Sequence, residues 1–144
     1  MTASWVLASL LWFAPGASAQ NASIDTCALA LWAAGPNPKP DALDVEVTAI
    51  QERSSRPGRR VYKDVHSELW LRPLKGGEFA VAIINLSDRP VAPDVIWNDL
   101  GILKERGESP RVRDVLRREN LGKIHGGFAH RLEPGQCALF HVKP

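Results

Sequence analysis

The chain has 144 residues, enough for one domain of ordinary size. Hydrophobic residues make up 44% of it and charged residues 24%, proportions that are typical of a globular protein. The formal net charge is only +2, and the sequence contains no concentrated basic stripe of the kind that a phosphate backbone requires. Composition and charge therefore exclude nucleic acid from the predicted partners.

Residues 1–19 have the pattern of a signal peptide. Trp5–Ala14 is uncharged and apolar, a length that suits a signal-peptide core and is too short to span a bilayer. Pro15 and Gly16 break the helix, and Ala17–Ala19 supplies the small residues that a signal peptidase needs. No Lys or Arg precedes the apolar run, and a buried N-terminal helix is the alternative. We predict cleavage after Ala19, a secreted or periplasmic protein, and no stable membrane anchor after cleavage.

Two cysteines, Cys27 and Cys137, lie in the predicted mature chain. An oxidising compartment permits a disulfide between them, and such a bridge would constrain the unfolded chain strongly. Cys137 also sits in an apolar stretch, where a free thiol packs as a small hydrophobic group. The sequence leaves both the bridge and the free thiols open.

Residues 20–60 are predicted to form an irregular arm and linker. Gly35–Pro40 has prolines at alternate positions, which hold the backbone extended and exclude a helix. Asp41–Gln51 fits both helical and strand spacing, so its type stays open. Glu52–Arg60 is polar, basic and broken by Pro57-Gly58, which indicates a loop.

From Val61 onward the pattern becomes one of short strands with turns between them. Glu68–Arg72 alternates apolar and other side chains, and Phe79–Leu86 is apolar on both faces, which is typical of a strand buried between layers. Further strands are predicted at Val95–Trp97, Arg111–Leu116, Gly127–Leu132 and Gln136–Val142, with turns at Lys75–Gly77, Ser87–Pro90 and Pro134–Gly135. About six to eight short strands and no long helix indicate an antiparallel sandwich or barrel over residues 61–144.

The same region resembles the C-terminal sandwich of alpha-galactosidases of glycoside hydrolase family 27. The segments that carry the resemblance occur in the family's order: Glu68–Leu74, Ala80–Asp88, Trp97–Gly101, Val112–Leu116 with Asn120–Gly122, and Pro134–Gly135 before Ala138–Val142. Upstream, Glu46–Gln51 and Gly58–Val61 are similar to the last barrel segment and its link into the sandwich. Between them the family's Asp-Pro-Leu-Gly turn is missing.

The strand pattern and the resemblance together predict an all-β fold, an antiparallel β-sandwich of about six to eight short strands. The residue pattern predicts that a signal peptide and an irregular N-terminal arm precede it. Such enzymes act through two carboxylates on a (β/α)₈ barrel of at least about 200 residues. That barrel does not fit before residue 61, so no catalytic residue is carried over. We predict a non-catalytic accessory sandwich without cofactors, whose partner is a carbohydrate or a glycosidase barrel domain. The alternatives are a free-standing carbohydrate-binding module and a truncated alpha-galactosidase remnant with no independent activity.

Acidic residues and histidines of the sandwich give no catalytic or metal site. The acidic candidates lie beside turns or strand ends, where carboxylates cap backbone N–H groups; they are Asp94, Asp99, Asp114 and Glu119. The histidines show no short ligand spacing; they are His66, His125, His130 and His141. We therefore predict no metal-binding residues.

Aromatic side chains are the remaining candidates for carbohydrate binding, because sugars dock on exposed aromatic faces. They are Trp70, Tyr62 and Trp97, with Trp32 in the arm. For Trp97 a core position is favoured over sugar binding, because the residue lies within an apolar strand. For Trp70, which points away from Leu69 and Leu71, both interpretations stay open.

One of two glycosylation sequons, Asn85-Leu86-Ser87, lies at the end of an apolar strand. A glycan acceptor must be accessible on a surface loop. Asn85 is therefore predicted to be a poor acceptor.

Overall fold

The computed structural model describes residues 22–23, 45–105 and 107–144. The predicted signal peptide, Trp32, Cys27 and Gly35–Pro40 lie outside the described residues. The elements in chain order are β1 (Ala22–Ser23), α1 (Val45–Arg53), β2 (Arg59–Lys63), β3 (Ser67–Pro73), β4 (Phe79–Asn85), β5 (Asp94–Ile96), α2 (Trp97–Leu100), β6 (Arg111–Asp114), β7 (Glu119–Lys123), β8 (Gly127–Ala129) and β9 (Gln136–Lys143).

Seven of these strands form one antiparallel sheet. Its order is β2-β3-β4-β9-β6-β7, and β1 pairs with the start of β9, where Ala22 is opposite Cys137. The two remaining strands, β5 and β8, form a separate antiparallel ribbon. The prediction of an antiparallel all-β domain is confirmed, and the second layer of the sandwich is much smaller than the first.

One face of the large sheet packs against the β5–β8 ribbon and the loops around it. We call this side the ribbon side. Its core is built from large apolar side chains that include Leu69, Leu71, Val81, Ile83, Val95, Trp97, Phe140 and Val142. Trp97, Phe140 and Val81 are fully buried. This core is the largest of the buried apolar clusters in the described residues.

The opposite face, which we call the helix side, is covered by α1. Val47 and Ile50 lie three positions apart, on one face of the helix, and both are buried against the sheet. The sheet contributes Leu74, Ala80, Ala82, Val115 and Leu139 to this second core. Burying an aliphatic side chain contributes about 1.5–3 kcal/mol, so the two residues of α1 hold the helix on the sheet.

The prediction of an irregular arm is wrong for residues 45–53 and 59–60, whereas residues 54–58 form a connection outside the helix and strands, as predicted for this segment. Residues 45–53 are helical, and β2 begins at Arg59, where it pairs with β3. The helix forms because its apolar face packs against the sheet, and most of the sheet residues that it contacts lie far away in the sequence.

Two local assignments also differ from the sequence pattern. The predicted strand at 95–97 ends at Ile96, because Trp97 begins α2, and Gly101 closes this short helix at φ +65°. Asn120–Gly122, which resembles the family's turn after the strand Val112–Leu116, lies within β7. The turn falls between β6 and β7, where Arg118 adopts φ +55°.

A buried asparagine connects three parts of the ribbon side. Asn85 is 0% exposed, and its Nδ2 donates to the carbonyl oxygens of Arg89 (2.8 Å), Leu132 (3.2 Å) and Glu133 (3.1 Å). Its Oδ1 accepts from the backbone N–H of Ser87 at 2.9 Å and from the hydroxyl of Ser87 at 2.7 Å. Asn85 therefore joins the end of β4, the following turn and the segment before β9, and its amide is not accessible to a glycan.

Asn85→Asp tests this junction with almost no change of shape. The new carboxylate oxygen would face three carbonyl oxygens, so we expect the free energy of unfolding to fall by about 3 kcal/mol or more at neutral pH. Burial raises the pKa of such a carboxyl, so part of the stability should return as the pH falls toward about 4. Urea unfolding measures both effects.

The matched control is Asn98→Asp, the same change at an exposed residue. It should alter the free energy of unfolding by no more than about 0.5 kcal/mol. Equal losses for the two variants would contradict the role given to Asn85.

Candidate functional site

Trp97, one of the three aromatic sugar-binding candidates, is a core residue. Its side chain is 0% exposed, and its Nε1–H donates to the carbonyl oxygen of Ile124 at 2.9 Å. Its ring centroid lies 5.7 Å from that of Phe128. A sugar needs an accessible ring face, so Trp97 is removed from the carbohydrate-binding candidates.

Trp70 and Tyr62 do not form a common aromatic platform. Trp70 is half-buried on the helix side, and its Nε1–H donates to Glu68 Oε2 at 2.8 Å. Tyr62 is 52% exposed and is paired with Leu69, whose side chain points to the other face of the sheet. The two rings therefore lie on opposite faces.

Tyr62 belongs to a hydrogen-bonded turn between β2 and β3. Its hydroxyl donates to Asp64 Oδ2 at 2.9 Å, and Asp64 Oδ1 accepts from the backbone N–H groups of His66 and Ser67 at 2.7 Å each. These backbone donors, helped by Tyr62, lower the pKa of Asp64 to about 2, and the neighbouring carboxylate raises the pKa of Tyr62. The turn uses Asp64 as a structural acceptor.

The acidic candidates of the sandwich also occupy structural positions. Asp114 is 2% exposed, and its Oδ1 accepts from the backbone N–H of Arg117 at 3.0 Å, which caps the turn after β6. Asp94, Asp99 and Glu119 are exposed. Among the described residues, no three His, Cys, Asp or Glu side chains come together as a metal site.

A charge cluster on the helix side was missed by sequence reasoning. Glu78 contacts Arg53 of α1, His141 Nε2 at 3.3 Å and Lys143 Nζ at 3.8 Å. The four residues lie in three distant segments of the chain, so no local sequence pattern predicts that they form a cluster. Together they fix the C-terminal end of α1 to β9.

The ionisation of this cluster follows from its burial and its charges. Burial alone raises the pKa of Glu78, but Arg53 and His141 outweigh it and the pKa is lowered. Burial lowers the pKa of His141 below 6.5, although Glu78 opposes the shift. Both shifts favour the Glu78 anion and the neutral imidazole, and the stability they contribute is lost as the pH falls.

A second ion pair fixes the other end of α1. Glu46 accepts from Arg113 Nε at 2.8 Å and from Arg113 Nη2 at 2.7 Å, in a bidentate arrangement with β6. Carboxylates near a helix N-terminus and cations near its C-terminus are both favoured by the helix dipole. Glu46 and Arg53 therefore hold the two ends of α1 on the sheet.

Beside this helix the pairing of three strands places three cations in one line. Arg111 of β6 is opposite Lys123 of β7 on one side and Lys143 of β9 on the other. We call Lys123, Arg111 and Lys143 the cationic row. In the adjacent line, Arg113 is opposite Asn120 and His141. A cavity of about 530 Å³ lies over both lines.

Among the helices of the described residues, none has the length and apolar character needed to cross a bilayer.

Three glycosidases are similar to this chain. The alpha-galactosidase of Cyamopsis tetragonoloba is 22% identical over 102 residues, which are 70% of this chain and 24% of that enzyme. A GH27 β-L-arabinopyranosidase from Geobacillus stearothermophilus superposes with a TM-score of 0.62 at 27% identity, covering 69% of this chain and 22% of the enzyme. Alpha-galactosidase I from Mortierella vinacea also gives 0.62, at 22% identity and 67% and 26% coverage.

This chain thus spans about a quarter of the length of these relatives. A sequence model of the alpha galactosidase C-terminal beta sandwich domain matches residues 64–142, more than half of the chain. The resemblance noted in the sequence is confirmed, and the match is to the C-terminal domain. The chain belongs to the alpha-galactosidase C-terminal β-sandwich family.

Proposed function

We propose that this chain acts as a non-catalytic accessory sandwich that packs against a glycosidase barrel through the outer face of α1. The observation that carries the proposal is the position of α1. The helix buries Val47 and Ile50 and is fixed at both ends by ion pairs, so it presents a defined surface on top of the sheet.

The outward part of α1 is incompletely covered. Val45, at the start of the helix, is 81% exposed, while Val47 two positions later is 1% exposed. The segment also resembles the last barrel segment of family 27 enzymes, and the named relatives are glycosidases about four times as long as the matched region. A barrel packed on the outer face of α1 would cover Val45, while Val47 and Ile50 hold the opposite face of the helix on the sheet.

The carboxylates of the helix side support an accessory role because cations neutralise them. Glu46 is paired with Arg113, Glu68 with Arg60, and Glu78 with Arg53. A retaining glycosidase needs one carboxylate to attack and a second one to donate a proton, about 5–5.5 Å apart. Burial raises the pKa of Glu78, but Arg53 and His141 outweigh this effect and lower it, so this carboxylate stays ionised and does not serve as the proton donor.

Purified chain incubated with a chromogenic α-galactoside should release no chromophore above the buffer rate. The physical reason is that the chain matches the C-terminal β-sandwich domain, whereas family 27 enzymes act through two carboxylates on their barrel. A family 27 alpha-galactosidase serves as the positive control. Turnover that co-purifies with the chain through successive columns would overturn the non-catalytic role.

A chimera tests the packing face. Residues 45–144 replace the matching C-terminal segment of a family 27 alpha-galactosidase, and thermal inactivation of the enzyme is followed. Val45→Asp should lower the inactivation temperature by at least about 3 °C, because a buried charge would replace an apolar contact. Val65→Asp is the control, since Val65 is 85% exposed and lies in the turn between β2 and β3.

If the two variants lower the inactivation temperature equally, α1 is not the packing face. If the chimera is inactive while its sandwich still unfolds cooperatively, this domain does not pack on the barrel in the way that the proposal requires.

Export and a disulfide are part of the same proposal. The pairing of β1 with β9 brings Ala22 opposite Cys137, and Cys27 follows Ser23 by four positions. Cleavage after Ala19 would leave β1 in the mature chain. Cys27 lies outside the described residues, so the bridge stays a prediction.

Expression in a bacterial host with secretion tests both features. The intact mass should lack residues 1–19, and it should be about 2 Da below the mass of the reduced mature chain because two thiol hydrogens are lost. Cys27→Ser should abolish the mass difference. An unprocessed chain would contradict export, and a processed chain with two alkylatable thiols would contradict the bridge.

A further inference from the structure

The cationic row is an electrostatically unfavourable arrangement. Lys123 and Arg111 are directly opposite in one strand pair, and Arg111 and Lys143 are directly opposite in the next. Like charges at such cross-strand positions destabilise a sheet. Residues that break a local stability rule in this way are expected at functional sites.

Charge compensation around the row is incomplete. Lys143 Nζ approaches Glu78 Oε1 at 3.8 Å, but Glu78 is shared with Arg53 and His141. Within residues 45–105 and 107–144, no carboxylate lies within ion-pair distance of Arg111 or Lys123. Arg111 and Lys123 therefore carry positive charge that no carboxylate of the described residues neutralises, and Lys143 is only partly neutralised.

The adjacent line of side chains does not add to this charge. Glu46 neutralises Arg113 through the bidentate pair, and Asn120 accepts from Arg113 Nη1 at 2.9 Å. His141 is mostly uncharged at neutral pH because its burial lowers its pKa. The positive potential is thus concentrated on three side chains, which are flanked by polar groups that can form hydrogen bonds.

The row also lies in a concave surface. The cavity of about 530 Å³ is continued by a second one of about 390 Å³, and Arg111, Lys123 and Lys143 line both. Volumes of about 300–1,000 Å³ are typical of small-molecule sites. Adjacent strands lie about 4.8 Å apart, so the row extends over roughly 10 Å.

We propose that the cationic row binds an acidic oligosaccharide that carries a carboxylate or sulfate group on successive sugar units. The choice of a saccharide rests on the proposed role in carbohydrate metabolism. A linear chain with repeated anionic groups can form ion pairs with three cations in line. A neutral sugar forms no ion pairs and would not explain this concentration of charge.

Nucleic acid is disfavoured by the lining of the two cavities. Proteins bind single strands by stacking bases on aromatic side chains, and no Trp, Tyr or Phe lines either cavity in the described part of the chain. Duplex binding commonly uses about 6–10 phosphate contacts, more than three cations supply.

Calorimetric titration of the full chain with trigalacturonate tests the proposal, with the neutral trisaccharide galactotriose as the matched ligand. We expect binding of the acidic trimer only, and an affinity that falls as salt is added. The double variant Arg111→Gln/Lys123→Gln should bind about tenfold more weakly or worse. Its melting temperature should be equal to or above that of the unmodified chain, because the repulsion is relieved.

The control variant Arg59→Gln/Lys75→Gln removes the same charge at exposed residues outside both cavities and should bind normally. Equal affinity of the two double variants, equal binding of galactotriose, or tighter binding of a short single-stranded DNA would each overturn the proposal. The titration uses the chain without a barrel, so its result is separate from that of the chimera.

Discussion

The architecture depends on one constraint: the two central strands of the large sheet are apolar on both faces. Every residue of β4 from Ala80 to Asn85 is buried, and β9 is buried from Cys137 to Phe140. Such strands need a covering layer on each side, since an uncovered apolar face of this width would cost more than a domain of this size can supply. The β5–β8 ribbon with Trp97 covers one face, and α1 covers the other.

The two covering layers differ in how they are held. The ribbon side is closed by large apolar side chains and by the hydrogen bonds of Asn85. The helix side is thinner: α1 contributes two buried residues, and the ion pairs of Glu46 and Arg53 fix its ends. Exposed ion pairs contribute little, so the apolar contact provides most of the energy and the ion pairs set the orientation. A further domain packed on α1 would complete this thinner layer.

The sequence predicted the parts of the fold whose signal is local. The alternation of Glu68–Arg72, the continuous apolar run of β4 and the glycine turn between these strands placed the β3–β4 hairpin correctly. The helical form of Val45–Arg53 was not decidable, because only contact with the sheet separates a helix from a strand at this spacing. Trp97 was correctly favoured as a core residue, since Val95 and Ile96 before it are apolar.

The cationic row shows what composition and local pattern cannot reveal. The net charge of +2 does not indicate the row. Its residues, Arg111, Lys123 and Lys143, are too far apart in sequence to form a basic run. Only the antiparallel register of β7, β6 and β9 aligns them. The same register places Arg113 in the adjacent line, where Glu46 of α1 neutralises it. Of these two neighbouring lines, one contains a neutralised cation and the other contains a row that is only partly neutralised. A sheet that neutralises one line and leaves the adjacent one charged gives up stability at that line, and an anionic ligand bound there would recover it.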